Sequence, residues 1–168
     1  MSTNGEILWQ NTDAPDIRTL AVDKAAKMIY AGSNNGYLYA IDRNGEITWA
    51  TKLDSPVSSI KLAERDGVTE KIIAGTDRGD VVTDTVYALS PNGLILWQNT
   101  DTSNIMALAV DNTNDRTYAG SRNGNVYAID NSNGDFIWTK QIEEGATVSS
   151  IELADKDGVT EKIIVGTS

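Results

Sequence analysis

The chain repeats one eleven-residue segment almost without change. DGVTEKIIAGT occupies residues 66–76 and DGVTEKIIVGT occupies residues 157–167, so ten of the eleven positions agree. A second segment, ILWQNTD, begins at Ile7 and again at Ile95. A unit of roughly 90 residues is therefore present almost twice, and its two copies have to adopt closely similar structures.

Each unit divides again, because the four tryptophans follow one phrase at a period of about 40 residues. The phrase reads STNGEILW up to Trp9, AIDRNGEITW up to Trp49, ALSPNGLILW up to Trp97 and AIDNSNGDFIW up to Trp138. Between these positions lie short runs rich in Val, Ile, Tyr and Thr, separated by Asn-Gly and Asp-Gly pairs that suit tight hairpin turns. Four short antiparallel strands in each repeat predict an all-β fold, a β-propeller of four-stranded blades. A β-sandwich or an up-and-down barrel is the alternative, and neither explains a repeat of this length with one tryptophan per copy.

The phrase Ala-x-Asp followed by Gly-x-x-x-Trp resembles the tryptophan-docking repeat of the PQQ-type, or quinoprotein-like, β-propeller family. The resemblance covers essentially the whole chain. It implies that each tryptophan packs between neighbouring blades and that each glycine makes the turn before it. These structural blade-docking roles fall on Trp9, Trp49, Trp97 and Trp138 and on Gly5, Gly45, Gly93 and Gly134. No catalytic, cofactor-binding or metal-binding residue is predicted.

The family's strand order, from the inner strand A to the outer strand D, implies one domain over residues 1–168 with four blades. Three blades fall at about residues 14–52, 53–101 and 102–142, and the fourth is a composite of residues 143–168 with residues 1–13. The inner strands are expected to begin at Ile17, Val57, Ile105 and Val148. The composite blade takes its D strand from residues 6–13 and lacks a C strand.

The number of blades bears on the assembly. Because the family usually closes with about eight blades, we predict that two chains join head to tail in one eight-bladed ring, a homodimer with two identical seams. The alternatives are a closed four-bladed monomer and a fragment of a longer repeat protein.

The composition excludes several kinds of chemistry. The chain has no cysteine and no histidine, which rules out disulfides, thiolate catalysis, Cys-ligated zinc and a Ser-His-Asp triad. The net charge of −10 would repel a phosphate backbone, so no nucleic-acid partner is expected. Short apolar runs predict no membrane partner. The first residues have no basic segment followed by an apolar one, so no signal peptide is expected, and the sequence does not indicate a localisation.

Two acidic loops and one tripeptide were weighed as binding sites. ERDGVTE at residues 64–70 and DKDGVTE at residues 155–161 resemble acidic calcium loops, with Asp155 and Asp157 as the better pair. A valine stands at the fifth position of each loop, where an oxygen ligand is needed, so solvated turns and no cofactor are expected. Arg-Gly-Asp at residues 78–80 falls in a predicted turn, but three residues are too few to indicate cell adhesion.

These observations favour a non-catalytic function. The chain lacks cysteine and any inserted loop that could hold a quinone and calcium, so no enzyme activity is expected; a quinone-dependent dehydrogenase fragment is the remote alternative. The first hypothesis is a scaffold or protein-interaction module that self-assembles through its open blade edges and docks partners on its D–A loops and B–C turns. The second is small-ligand or carbohydrate binding between blades. The expected partners are a second copy of the chain and an unidentified protein.

Overall fold

The structure is a computed structural model that describes residues 3–79, 84–156 and 159–168. Short apolar runs separated by glycine-containing turns fold this part of the chain into β-strands alone. None of the described residues belongs to a helix that could cross a membrane.

The strands form four antiparallel sheets, in each of which every strand pairs with the one before it in the chain. Blade I contains β1 (Ile17–Asp23), β2 (Met28–Ser33), β3 (Tyr37–Asp42) and β4 (Ile47–Lys52). Blade II contains β5 (Val57–Arg65), β6 (Val68–Thr76), β7 (Asp84–Leu89) and β8 (Ile95–Thr102). Blade III contains β9 (Ile105–Asp111), β10 (Arg116–Ser121), β11 (Asn125–Asp130) and β12 (Phe136–Gln141). Blade IV has two described strands, β13 (Val148–Lys156) and β14 (Val159–Thr167). The predicted all-β architecture, with three complete blades and one incomplete blade, is confirmed.

The blades stack in chain order through their first strands. β1 packs against β5, β5 against β9 and β9 against β13, whereas no comparable contact joins β13 to β1 among the described residues. The third strands carry the apolar runs LYAI, VYAL and VYAI at residues 38–41, 86–89 and 126–129, and all of these residues are buried. A short continuous apolar run suits a strand that is covered on both faces. The third strand is therefore the centre of each complete blade.

Small and large side chains face each other across the second and third strands. In blade II, Gly75 faces Val86 and Ala74 faces Tyr87. Blades I and III have the same arrangement, with the pairs Gly32–Leu38, Ala31–Tyr39, Gly120–Val126 and Ala119–Tyr127. This alternation lets a large side chain of one strand pack beside a small residue of the next, so that the two neither leave a gap nor crowd each other.

Residues 6–13 differ from the outer strand expected there. In the part of the chain that the structure describes, the first strand begins at Ile17. An outer strand is held by hydrogen bonds to a neighbouring strand, and no described strand pairs with this segment. Its side chains nevertheless contact blade I: Nδ2 of Asn11 donates a hydrogen bond of 2.7 Å to the carbonyl oxygen of Gly45.

Candidate functional site at the seams between blades

Tryptophan side chains lie against glycines of the following blade at three places. The pairs are Trp9 with Gly45, Trp49 with Gly93 and Trp97 with Gly134. A Cβ atom added to these glycines would lie 2.7, 2.8 and 2.6 Å, respectively, from the nearest indole atom. The same glycines have φ angles of 89°, 86° and 83°, a region that residues with a side chain rarely adopt. Both the turn and the close approach of the indole therefore require glycine.

Hydrogen bonds hold each blade to the next at these contacts. Nε1 of Trp49 donates to the carbonyl oxygen of Pro91 over 3.0 Å, and Nε1 of Trp97 donates to that of Asn131 over 2.8 Å. The side chain two residues after each tryptophan donates to the carbonyl oxygen of the docking glycine: Asn11 to Gly45, Thr51 to Gly93 and Asn99 to Gly134. Sequence analysis missed this second bond, although asparagine recurs at that position in both copies of ILWQNTD.

The fourth predicted pair is not brought together. Trp138 is 36% exposed, close to the 38% of Trp9, whereas Trp97, at the same position of the 40-residue repeat, is 9% exposed. The absence of a docking contact is therefore inferred from its neighbours rather than from its exposure. Trp138 contacts Tyr118 in its own blade, with ring centroids 5.9 Å apart. Gly5 has a φ of 91°, like the other docking glycines, but no described side chain occupies the space within 4 Å of a Cβ built there. Within the described residues, one end of the stack thus presents an indole without a docking glycine, and the other presents a glycine without an indole.

The free face of blade I is apolar. Leu20 is 60% exposed, although Leu108, which occupies the same place in the other copy of the repeat, is 2% exposed. Ile17 on the same strand is also exposed. A depression of about 260 Å³ lies beside these residues, with Trp9 and Ile41 in its wall. In blade III the corresponding face is covered by blade II.

The free face of blade IV is apolar as well. Ile164 is 56% exposed, whereas its repeat equivalent Ile73 is fully buried at 0%. Ile73 lies in one apolar cluster with Leu108. Leu108 is the repeat equivalent of Leu20, which blade I exposes. The two free faces therefore carry the two halves of a contact that is complete between blades II and III.

Buried polar contacts fix the inner rim, the D–A loops and B–C turns on which docking is predicted. The carboxylate of Asp77, which is almost fully buried, accepts a hydrogen bond of 2.8 Å from Arg122 and lies 4.0 Å from Arg18. The hydroxyl of Tyr87 donates to Asp54 over 2.8 Å. Burial raises the pKa of Tyr87, and the hydrogen bond to Asp54 raises it further. The tyrosine is therefore a neutral donor at physiological pH.

The first acidic loop, residues 64–70, is described throughout, and the structure places Arg65 3.4 Å from Glu70 in an ion pair. The second loop and the tripeptide are described only in part. Among the described residues, no three acidic side chains come together in a group that could hold a metal ion. The carboxylate of Asp155 accepts a hydrogen bond from a threonine across its hairpin, and Asp157 lies outside the described residues. Arg78 and Gly79 follow β6 in the turn, while Asp80 lies outside the described residues. That these loops are solvated turns without calcium stays a prediction.

Comparison with known proteins identifies similar chains. The PQQ_2 family model, described as outer membrane protein assembly factor BamB, matches residues 2–161. The outer membrane protein assembly factor BamB of Yersinia pestis is 26% identical, over 83% of this chain and 37% of that protein. The chain therefore spans little more than a third of this relative.

Two solved structures are similar in fold. BamB from Moraxella catarrhalis has a TM-score of 0.74 at 24% identity, over 97% of this chain and 47% of that chain. The computationally designed Ika4 protein has a TM-score of 0.73 at 18% identity, over 97% of this chain and 98% of that chain. At these identities the likeness establishes the β-propeller fold alone.

Proposed function

Since this chain belongs to the PQQ_2 family of β-propeller repeats, we propose that it is a non-catalytic scaffold that binds other proteins and assembles with a second copy of itself. The relative from Yersinia pestis is described as an assembly factor for outer membrane proteins. From that description we carry over only the binding of protein partners. The inner-rim loops suit this role, because their hydrogen bonds hold a docking surface in one conformation before a partner arrives.

The observation that carries the self-assembly is the match between the free faces of blades I and IV. Leu20 and Ile164 are both largely exposed, whereas their equivalents Leu108 and Ile73 are buried in one apolar cluster between blades II and III. If blade I of one copy packs on blade IV of another, Leu20 takes beside Ile164 the place that Leu108 takes beside Ile73. The contact removes apolar surface from water at both free faces at once.

The same arrangement completes the fourth tryptophan seam. Trp138 of one copy would lie on Gly5 of the next, as Trp97 lies on Gly134. The indole N–H of Trp138 would then meet the carbonyl oxygen of Thr3, which is placed two residues before Gly5 as Pro91 is before Gly93. Two copies joined head to tail form a closed ring with two such seams, whereas a head-to-tail contact that does not close produces a filament.

Light scattering on a sizing column tests the assembly. We expect a molar mass of twice the 18.1 kDa of one chain. Leu20→Lys places a charge in the seam and should give the mass of one chain. Val68→Lys is the matched control, because Val68 is similarly exposed but lies on blade II, which has a neighbouring blade on both faces. A wild-type mass of one chain at every concentration would refute the self-assembly.

The non-catalytic part of the proposal has its own test. The whole sequence lacks histidine, the commonest general base, and cysteine, a common nucleophile. We expect no reduction of an artificial electron-acceptor dye when the protein is mixed with pyrroloquinoline quinone, Ca²⁺ and a panel of alcohols and sugars. Turnover above that of heat-denatured protein would contradict the proposal.

A further inference from the structure

We propose that the free edge of β14 accepts an extended peptide as the third strand of blade IV. Within the described structure, β14 pairs with β13 on one side and with no strand on the other. An edge strand presents a row of N–H and C=O groups that is a template for a further strand. The edge belongs to a single chain, so this inference does not depend on the self-assembly.

The pairing of β6 with β7 in blade II indicates which strand this edge can bind. β6 reads VTEKIIAGT and β14 reads VTEKIIVGT, a difference of one residue. β6 pairs with β7 through the facing residues Gly75–Val86, Ala74–Tyr87, Ile73–Ala88 and Ile72–Leu89. By equivalence, β14 offers the same ladder through Gly166, Val165, Ile164 and Ile163. It should take a strand with an apolar branched residue facing Gly166, an alanine facing Ile164 and a second branched residue facing Ile163.

The apolar cluster between blades III and IV lacks the side chains that such a strand would supply. The clusters between the other blades each contain a tyrosine and a branched residue from a third strand, Tyr87 with Leu89 and Tyr127 with Ile129. Among the described residues, the cluster between blades III and IV has no such pair, and Ile163 and Val165 are only partly buried at its margin. Their equivalents Ile72 and Ala74 are fully buried. A third strand would cover this margin.

One residue predicts which peptide is preferred. Val165 stands where the three complete blades have an alanine facing a tyrosine. A valine is larger than an alanine, so a tyrosine placed opposite Val165 would overpack the cluster. We therefore expect the bound strand to carry a residue smaller than tyrosine at this position, followed by an alanine opposite Ile164.

In the ring proposed above, the peptide has a defined place. Residues 6–13 of the next copy would lie in the position of the outer strand, two strands away from β14. Neighbouring strands are about 4.8 Å apart, so the space between the two is one strand wide. A strand in that space would run antiparallel to both neighbours, as in the complete blades. This space between β14 and residues 6–13 exists only in the proposed assembly, whereas the free edge of β14 is present in a single chain.

Two peptides and two proteins test the inference. DTVYALSP has the sequence of residues 84–91, and DTVVALSP has valine in place of tyrosine. The proteins are the wild type and Val165→Ala, which makes the sequence of β14 identical to that of β6. Affinities are measured by anisotropy of labelled peptide, and hydrogen exchange locates the protected amides.

We expect a crossed preference. DTVVALSP should bind the wild type on the order of tenfold more tightly than DTVYALSP does, and Val165→Ala should tighten DTVYALSP on the order of tenfold. Each tight complex should slow exchange at the amides of β14. DTVVPLSP, with proline in place of alanine, should bind at least about tenfold more weakly because proline is poorly tolerated inside a paired strand.

Several results would overturn the inference. These are no binding of either peptide, equal affinity of both peptides for both proteins, or protection outside β14. If Val165→Ala fails to fold, as judged by circular dichroism, the ranking of the three peptides on the wild type decides. The molar mass of the same samples separates the inference from the proposed function. If single chains show the expected peptide preferences, peptide binding by β14 is supported and the self-assembly is refuted. If the protein is a dimer that binds no peptide, the self-assembly is supported and peptide binding by β14 is refuted.

Discussion

Replacing Trp97 by alanine should destabilise the chain far more than the same change at Trp138. The two tryptophans occupy the same position of the 40-residue repeat, but their exposed fractions are 9% and 36%. A tryptophan buries at most about 250 Å², so this difference amounts to about 70 Å² of buried surface. At about 25 cal/mol per Å², that surface contributes about 2 kcal/mol to the free energy of unfolding.

The hydrogen bond adds to the difference. Nε1 of Trp97 donates to the carbonyl oxygen of Asn131, and a bond of this kind contributes roughly 0.5–1.5 kcal/mol. Loss of a buried tryptophan side chain costs about 3–5 kcal/mol in total. We therefore expect Trp97→Ala to lower the free energy of unfolding by about 3–5 kcal/mol, and Trp138→Ala in a single chain to lower it by about 1–2 kcal/mol.

Urea denaturation followed by circular dichroism measures both values, and it should be repeated over a range of protein concentrations. The loss for Trp97→Ala should not depend on concentration, because its docking glycine is in the same chain. The loss for Trp138→Ala should grow with concentration if copies assemble, because Trp138 then docks on Gly5 of the next copy. Equal losses at the lowest concentration would refute the argument that docking on glycine is what stabilises the seam.

The remaining predictions concern a docking glycine, a buried tyrosine and the inner rim. Gly134→Ala should lower the free energy of unfolding by about 2–4 kcal/mol, because a clash with the indole of Trp97 adds to the strain of a positive φ. Gly5→Ala should lower it by about 1 kcal/mol from strain alone, and equal losses in urea denaturation would contradict this. Burial raises the pKa of Tyr30 above its ordinary value of 10.0, so the stability that comes from keeping its hydroxyl protonated is complete below that pH and is lost as the pH rises through the folded-state pKa. Tyr30→Phe should therefore flatten the alkaline decline of the denaturation midpoint, and an unchanged decline would contradict this prediction. Arg122→Met should cost about 1–3 kcal/mol because Asp77 stays buried without its closest cation, and thermal denaturation that shows no loss would exclude this role.

The repeat predicts the strands well because their register has little freedom. It places the starts of the inner strands at Ile17, Val57, Ile105 and Val148, and β1, β5, β9 and β13 begin at these residues. Along a strand, side chains alternate between the two faces, so a shift by one residue would turn every buried side chain outward. Where both faces of a strand are covered by neighbouring blades, the local sequence pattern and the tertiary packing favour the same register.

The outer segment at the N-terminus shows where such prediction fails. ILWQNTD is a paired strand at residues 95–101, within β8, and has no strand assignment at residues 7–13. β8 has β7 beside it, and the first copy has no described strand in that place. The two copies of this segment make the same side-chain contact, because Asn11 and Asn99 both donate a hydrogen bond to a docking glycine. Backbone pairing depends on a neighbouring strand, and a local segment does not encode that neighbour.

The energy of one seam explains why closure in a ring would be favoured over a filament. Burying Leu20 and Ile164 to the extent of their equivalents contributes about 1–2 kcal/mol each, and burying Trp138 as deeply as Trp97 about 2 kcal/mol more. These three side chains together contribute about 4–6 kcal/mol. A contribution of that size lies at the low end of the roughly 4–15 kcal/mol that two molecules lose in entropy when they associate. One seam alone would therefore hold two copies weakly. The second seam of a closed ring forms within the same complex and loses little further entropy, so the closed dimer is the first species in which apolar burial clearly exceeds the cost of association.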